Sequence, residues 1–451
     1  MRFILLITLI ASATCSAARI DVDPREAAVR AALQDQMDSS ATRGTSVSLI
    51  NGDLVTKINV GDASSELSLF EIGSISKSFA GIAISELSVE QKLDLELPIS
   101  NYIPELANSF IGTVSAHLLA IHTARLPDSF IGSDGHNTEQ YTETEFITFL
   151  KNYVPDPILF PAGKRQYSNL GFSTLALLIH RIEKEAYTDW VREHILLPLG
   201  MKSTGFITSK EAPAGLLQGY SVVLEPLTYS AEGELHTASG GIFSNLHDMT
   251  IYLMANINPG NELLGQAMSL SQKLGMGWDS KPGALPIEKN GGMTAGFSSV
   301  IEFDPTKKTG AVVLANDFDV LTTMHLGGIA SGTPYDTLSD LPLPTETLKS
   351  LTGIYSSADG KQQIKLFSIG NNRLGFERGD GFSSPFEVFY RWRLIQQNPN
   401  VFFTNDGGSI DDVVKLKTDP VSNQIKVVYS HYRGTDSSGK PIYETNTYSR
   451  I

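Results

Sequence analysis

From residue 331 to residue 347 the chain reads SGTPYDTLSDLPLPTET, a run of Pro, Ser, Thr and Asp with little apolar periodicity. That composition reads as a linker, placed at residues 331–346, and it separates two stretches of different rhythm. A chain of 451 residues is also too long for one ordinary core, so a boundary here divides it into parts that each bury their own interior.

Ahead of the linker the pattern is mixed. Residues 24–37 carry helical spacing, and residues 46–50 and 54–60, parted by Asn51-Gly52-Asp53, read as a β-hairpin with a tight turn. Residues 73–205 are mainly helical by apolar spacing, interrupted at Pro155-Asp156-Pro157 and Pro161-Ala162-Gly163. Strand signals return at residues 297–303 and 311–316. The expected fold is α/β (α+β) over residues 19–330: an antiparallel sheet made from both ends of the domain, with flanking helices and a helical insert. Beyond the linker, residues 363–369, 386–394, 401–404, 413–417 and 424–432 alternate with turns at Gly370-Asn371-Asn372, Asn398-Pro399-Asn400 and Asp406-Gly407-Gly408. Such regular spacing predicts a small β-barrel or sandwich over residues 347–451.

Composition removes several function classes. Lys and Arg number 35 against 49 Asp and Glu, a formal charge of -14 that repels polyanions, so no nucleic-acid partner is expected. After the first residues no apolar run approaches bilayer length. The first residues themselves read as a signal peptide, 1–18: Arg2 gives the positive charge, residues 3–10 the apolar region, and Ser16 and Ala18 the small residues of a cleavage site. A secreted or periplasmic location follows as an expectation. The one cysteine, Cys15, lies inside that segment, so the chain beyond it has no thiol for a disulfide, a zinc site or a nucleophile. No spacing of His, Asp and Glu argues for a metal, and no cofactor is expected.

Covalent chemistry would then use an oxygen. Ser74-Ile75-Ser76-Lys77 follows Gly73 at the head of an apolar-periodic helix, and positions i and i+3 share a helix face, which brings the Lys77 amine to the Ser74 hydroxyl. Free amides at a helix start suit a developing oxyanion. A second S-x-x-K at Ser437-Ser438-Gly439-Lys440 sits in a Gly- and Asp-containing turn, where nothing would hold the amine over the hydroxyl. Tyr167-Ser168-Asn169 is the only Y-x-N in the chain and opens another apolar helix. A phenol near an ammonium ionises more easily, and an amide beside it can hold both a lysine and a carbonyl. For the remaining cation, Lys308-Thr309-Gly310 reads as a hairpin turn, whereas Lys289-Asn290-Gly291-Gly292 precedes a strand and its glycines would let a substrate backbone approach. His122 and His236 read as loop-holding residues.

FEIGSISKSF (70–79), PAGKRQYSNLGF (161–172), PLGMKSTGF (198–206) and KNGGMTAGFSS (289–299) together resemble the serine β-lactamase and penicillin-binding protein superfamily. The resemblance covers about residues 25–330 and points to the class C β-lactamase branch, with its D-Ala-D-Ala carboxypeptidase, D-aminopeptidase and family VIII esterase relatives. It implies Ser74 as nucleophile, Lys77 and Tyr167 as the acid and base, and Asn169 as a substrate-orienting amide. It also implies that Lys289 attracts a substrate carboxylate and that the Ser74 and Gly292 amides form the oxyanion hole beside Gly291. Asn290 departs from the Thr usual in the third motif, and the glycine-rich turn after it is longer than usual. Residues 347–451 resemble the lipocalin-like β domain of some related peptidases. The implied partner is a small-molecule or peptide substrate bearing a carboxylate. The activity is that of an exported serine hydrolase on D-amino-acid peptides, with a β-lactamase, a carboxylesterase or a catalytically silent penicillin-binding module as alternatives.

Overall fold

A computed structural model describes residues 22–38, 42–129, 141–221, 224–294, 296–317, 320–332, 343–360, 362–369, 373–379, 391–398, 401–405, 413–418, 424–435 and 441–450. The expected signal peptide, the second S-x-x-K, most of the linker and most of the expected turn residues after residue 369 lie outside these.

The larger part is built on a five-stranded antiparallel sheet in the order Leu54–Gly61, Gly44–Asn51, Thr309–Ala315, Phe297–Asp304, Ile287–Thr294. Both ends of this part of the chain therefore meet in one sheet, as the pattern predicts. The hairpin turns at Gly52, whose φ of 61° suits a residue without a side chain. Side-chain alternation feeds two cores from one sheet. Val47, Leu49, Val300, Ala311 and Val313 pack with Val29 and Leu33 of helix Glu26–Asp38 and with Leu326 and Ala330 of helix Val320–Ser331. Ile50, Ile301, Phe303, Val312 and Leu314 face the other way, into the large helical body. A sheet covered on both faces explains why the strand Phe297–Asp304 is buried at every position.

At the centre of that body lies helix Ser76–Val89, buried continuously from Ser76 to Leu87. Its apolar residues Phe79, Ile82, Ala83, Ile84 and Leu87 are not confined to one stripe, so the helix is enclosed, and its buried Lys77, Ser78 and Glu86 meet hydrogen-bond partners there. A second small sheet, Leu69–Glu71, Ile242–Asn245 and Gly205–Phe206, delivers the chain to its start. Lys308, at φ 56°, ends the hairpin turn, but Thr309 and Gly310 already belong to strand Thr309–Ala315, paired with Asp304 and Phe303, so of Lys308-Thr309-Gly310 only the first residue lies in the expected turn. Lys289 to Gly292 form part of the outer strand Ile287–Thr294 itself. Gly291 suits that strand because a Cβ there would stand 2.2 Å from the Ile72 carbonyl oxygen.

Strands from Gly353–Ser357 to Pro441–Arg450 form a closed eight-stranded antiparallel barrel, each paired with its neighbour in sequence and the last paired with the first. Tyr355, Ile364, Leu366, Leu374, Phe376, Val414 and Val427 fill its core together with Leu348 and Leu351 of helix Thr345–Leu351.

Candidate active site

Ser74 stands in a 3-10 turn, Gly73–Ile75, between strand Leu69–Glu71 and helix Ser76–Val89. The turn is clamped from both sides. Ile72 donates its N–H to the Ile242 carbonyl at 2.9 Å, and its own carbonyl accepts from Ser299 Oγ at 2.9 Å. Ser74 is half-buried while its neighbours Gly73, Ile75, Ser76 and Lys77 are buried, so the hydroxyl is the exposed point of an otherwise closed turn.

Lys77 Nζ donates to Ser74 Oγ at 2.9 Å, to Asn169 Oδ1 at 2.7 Å and to the Ser239 carbonyl at 2.5 Å. Burial, then the charge of Lys289, pull its pKa well below the usual lysine value. Tyr167 Oη lies 2.5 Å from Ser74 Oγ, so the serine oxygen sits between an amine and a phenol. The phenol departs from the sequence expectation: burial raises its pKa, outweighing the lowering by the Ser74 hydrogen bond and Arg165. Tyr167 therefore keeps its proton at neutral pH.

The tyrosine is positioned by its neighbours. Ser168 caps helix Asn169–Glu183, its Oγ accepting from Gly171 N at 3.0 Å and donating to the Pro127 carbonyl at 2.6 Å. Since Ser168 is the cap, Asn169 keeps its side chain for Lys77. His122, buried at φ 63°, accepts from Ser168 N at Nδ1, 3.1 Å, and stacks on the Tyr167 ring at 4.5 Å. Burial, then the charge of Lys289, hold its pKa well below the usual value, which matches its role as an acceptor. His236 pairs instead with Glu232, Nδ1 to Oε2 2.7 Å, at the base of the turn that presents Ser239.

Lys289 is buried, 5.4 Å over the Tyr167 ring, and donates to Asp279 Oδ1 at 2.9 Å. Asp279 also accepts from Asn290 N at 3.1 Å and from Arg165 at 3.1 Å. Burial opposes ionisation of Asp279, but the Lys289 charge and hydrogen bond prevail and hold its pKa below the usual carboxylate value. Asn290, on the opposite side of the strand from Lys289, donates through its amide to Glu288 Oε1 at 2.6 Å. Gly292 pairs in register with Ser298. The structure thus gathers Ser74, Lys77, Tyr167, Asn169 and Lys289 around one point and adds three groups to which the sequence reading gives no role: the Ser239 carbonyl, Asp279 and Arg165. Among the described residues no group of three or more His, Cys, Asp or Glu could hold a metal, and no helix is long and apolar enough to cross a membrane.

A serine hydroxyl held between an amine and a phenol is an arrangement suited to covalent acyl transfer. The profile of the family described as Beta-lactamase matches residues 29–325, and the chain belongs to that family. A β-lactamase of Providencia stuartii is 30% identical over 193 residues, covering 43% of this chain and 48% of that one. The chain spans about half the length of the first curated relatives it matches. Among solved structures, a β-lactamase/D-alanine carboxypeptidase from Pseudomonas syringae shares the fold with a TM-score of 0.59 at 20% identity, over 68% of this chain and 98% of that one. A class C β-lactamase gives a TM-score of 0.61 at 25% identity, over 70% and 100%.

Proposed function

We propose that this chain hydrolyses D-amino-acid peptides ending in a carboxylate through an acyl-enzyme on Ser74, outside the cytoplasm. The observation that carries the acyl-enzyme is the Ser74 oxygen held between Lys77 Nζ at 2.9 Å and Tyr167 Oη at 2.5 Å. Ser74 Oγ attacks the carbonyl carbon while its proton passes to Lys77, whose depressed pKa favours the unprotonated amine that this step requires. The amides of Ser74 and Gly292 receive the oxyanion. As the carbon–nitrogen bond breaks, the leaving nitrogen takes the Tyr167 proton, and Lys77 returns its proton to Tyr167. Water then attacks the ester, passing a proton to Lys77, which gives it to the departing Ser74 oxygen.

Support for the substrate class comes from the fold shared with a structure described as a β-lactamase/D-alanine carboxypeptidase and from the signal-like first 18 residues. A second reading, a carboxylesterase on the same site, is favoured by one observation: Lys289 is already engaged by Asp279. The deciding experiment treats the purified protein with a fluorescent penicillin and a fluorophosphonate and compares intact masses with Ser74→Ala. One probe mass added to the parent, a penicilloyl group or a phosphonyl group with fluoride lost, and none to the variant is the expected result. Labelling that survives in the variant moves the nucleophile elsewhere. A long-lived penicillin adduct supports the peptidase, rapid turnover of a cephalosporin a β-lactamase, and activity confined to short nitrophenyl esters the esterase.

A further inference from the structure

The cation expected to meet a substrate carboxylate is Lys289, yet its side chain is 1% exposed and its ammonium is already bound to Asp279. A second cation shares the same oxygen. Arg165, two residues before Tyr167, donates from one terminal nitrogen to Asp279 Oδ1 at 3.1 Å, and its side chain is 49% exposed. That is the one protein hydrogen bond of its guanidinium among the described residues. A guanidinium carries five N–H donors in a planar fork whose geometry matches a carboxylate. Here the fork is anchored by one bond and leaves its remaining donors to solvent. Asp279 fixes where those donors stand, because its two oxygens are held in turn by Lys289 Nζ and the Asn290 amide. The guanidinium is also close enough to the catalytic phenol and to His122 for its charge to reach both.

We infer that Arg165 is the specificity-determining residue that recognises the substrate carboxylate, while Lys289 acts from behind as the buried half of the Asp279 pair. This rests on the acyl-transfer reading of the site and names its substrate class: acyl donors whose leaving group carries an anion. The division of labour follows from charge. Lys289 and Asp279 offset each other as a buried pair, which leaves the half-exposed Arg165 guanidinium as the cation of this group that a ligand in solvent can reach.

The test uses two phenyl esters of one acyl group, with a meta-carboxylate on the leaving phenol of one and a meta-carboxamide on the other. In the parent, kcat/KM for the carboxylate ester should exceed that for the carboxamide ester about tenfold, the value of one charge-assisted hydrogen bond. In Arg165→Ala that ratio should fall to about one through KM and not kcat, and in Arg165→Glu it should invert. Arg165→Lys should recover only part of it, since an ammonium lacks the fork. Equal losses on both esters would mark a structural role and overturn the inference, as would an unchanged ratio. Binding of the same two esters to Ser74→Ala, with and without Arg165→Ala, asks the question without any acylation. Failure of the parent to acylate would sink the proposed reaction, whereas a parent complex showing no preference for the carboxylate would sink this inference alone.

Discussion

Gly277 lies flat against the carbonyl of Lys77: a Cβ at that position would stand 2.3 Å from the oxygen, and the residue's φ is 82°. The mirror contact occurs at Gly81, where a Cβ would meet the Met276 carbonyl at 2.1 Å. Two glycines thus let the segment after helix Leu263–Leu274 touch the backbone of the helix that carries the Lys77 amine. Gly277→Ala should push Lys77 off its three acceptors at a cost on the order of 3 kcal/mol, combining positive-φ strain with overpacking. Thermal melting and acylation rate should fall together. A variant that melts like the parent and acylates at the parent rate would show that this contact does not hold the amine.

Lys77 itself is placed at a cost to the fold. Its folded pKa is depressed from 10.5, so across the window between the folded value and 10.5 the unfolded chain binds more protons than the folded one. Stability conferred through this group therefore rises with pH in that window and falls as pH is lowered. Lys77→Met should lower the acylation rate by about 10³-fold or more, the scale of lost proton transfer. Its melting temperature relative to the parent should be highest at neutral pH and decline toward pH 10. A difference that stays flat over that range would contradict a neutral amine.

His122 offers the same linkage nearer neutrality. Its folded pKa is depressed well below 6.5, so the stability it contributes is fully present above 6.5 and is lost as pH falls toward the folded value. His122→Asn keeps an acceptor and tolerates the positive φ of 63°. The parent should lose stability relative to this variant as pH drops from 7 to 5, with a slope approaching about 1.4 kcal/mol per pH unit. Melting curves at the two pH values check it, and a parent that gains on the variant in acid would reverse the assignment of His122 as a neutral acceptor.

Much of this site was legible because its geometry is local. Ser74 and Lys77 are one helical turn apart, and Tyr167 and Asn169 flank a serine that caps a helix, so spacing alone brings the right atoms to one side. What stayed hidden has no spacing to read. The Ser239 acceptor is a main-chain carbonyl, and Asp279 meets Lys289 from ten residues away across the loop from Ser280 to Pro286. The expected ease of ionising Tyr167 failed because proximity to a cation is visible in a motif, whereas the burial that outweighs it is a property of the packed body. In the C-terminal part the strands Gln363–Ile369 and Val413–Thr418 announce themselves by alternating Ile, Leu and Val, while Arg373–Gly379 and Pro441–Arg450 are polar or glycine-broken and appear as strands only once the barrel closes.

Tyr167→Phe separates the phenol's proton from its ring. The ring stacks on His122 at 4.5 Å and lies 4.8 Å from Lys77 Nζ and 5.4 Å from Lys289 Nζ, contacts that phenylalanine retains. Only the hydroxyl at the Ser74 oxygen is removed, so stability should hold within about 1 kcal/mol. Acylation should fall by about 10²- to 10⁴-fold, the range for a lost general acid. The loss should also depend on the leaving group, because a nitrophenolate departs without a proton and an amine does not. An amide substrate should therefore suffer far more than a nitrophenyl ester, measured as the ratio of their kcat/KM values in parent and variant. Equal losses on both would remove Tyr167 as the proton donor and leave Lys77 to serve both steps.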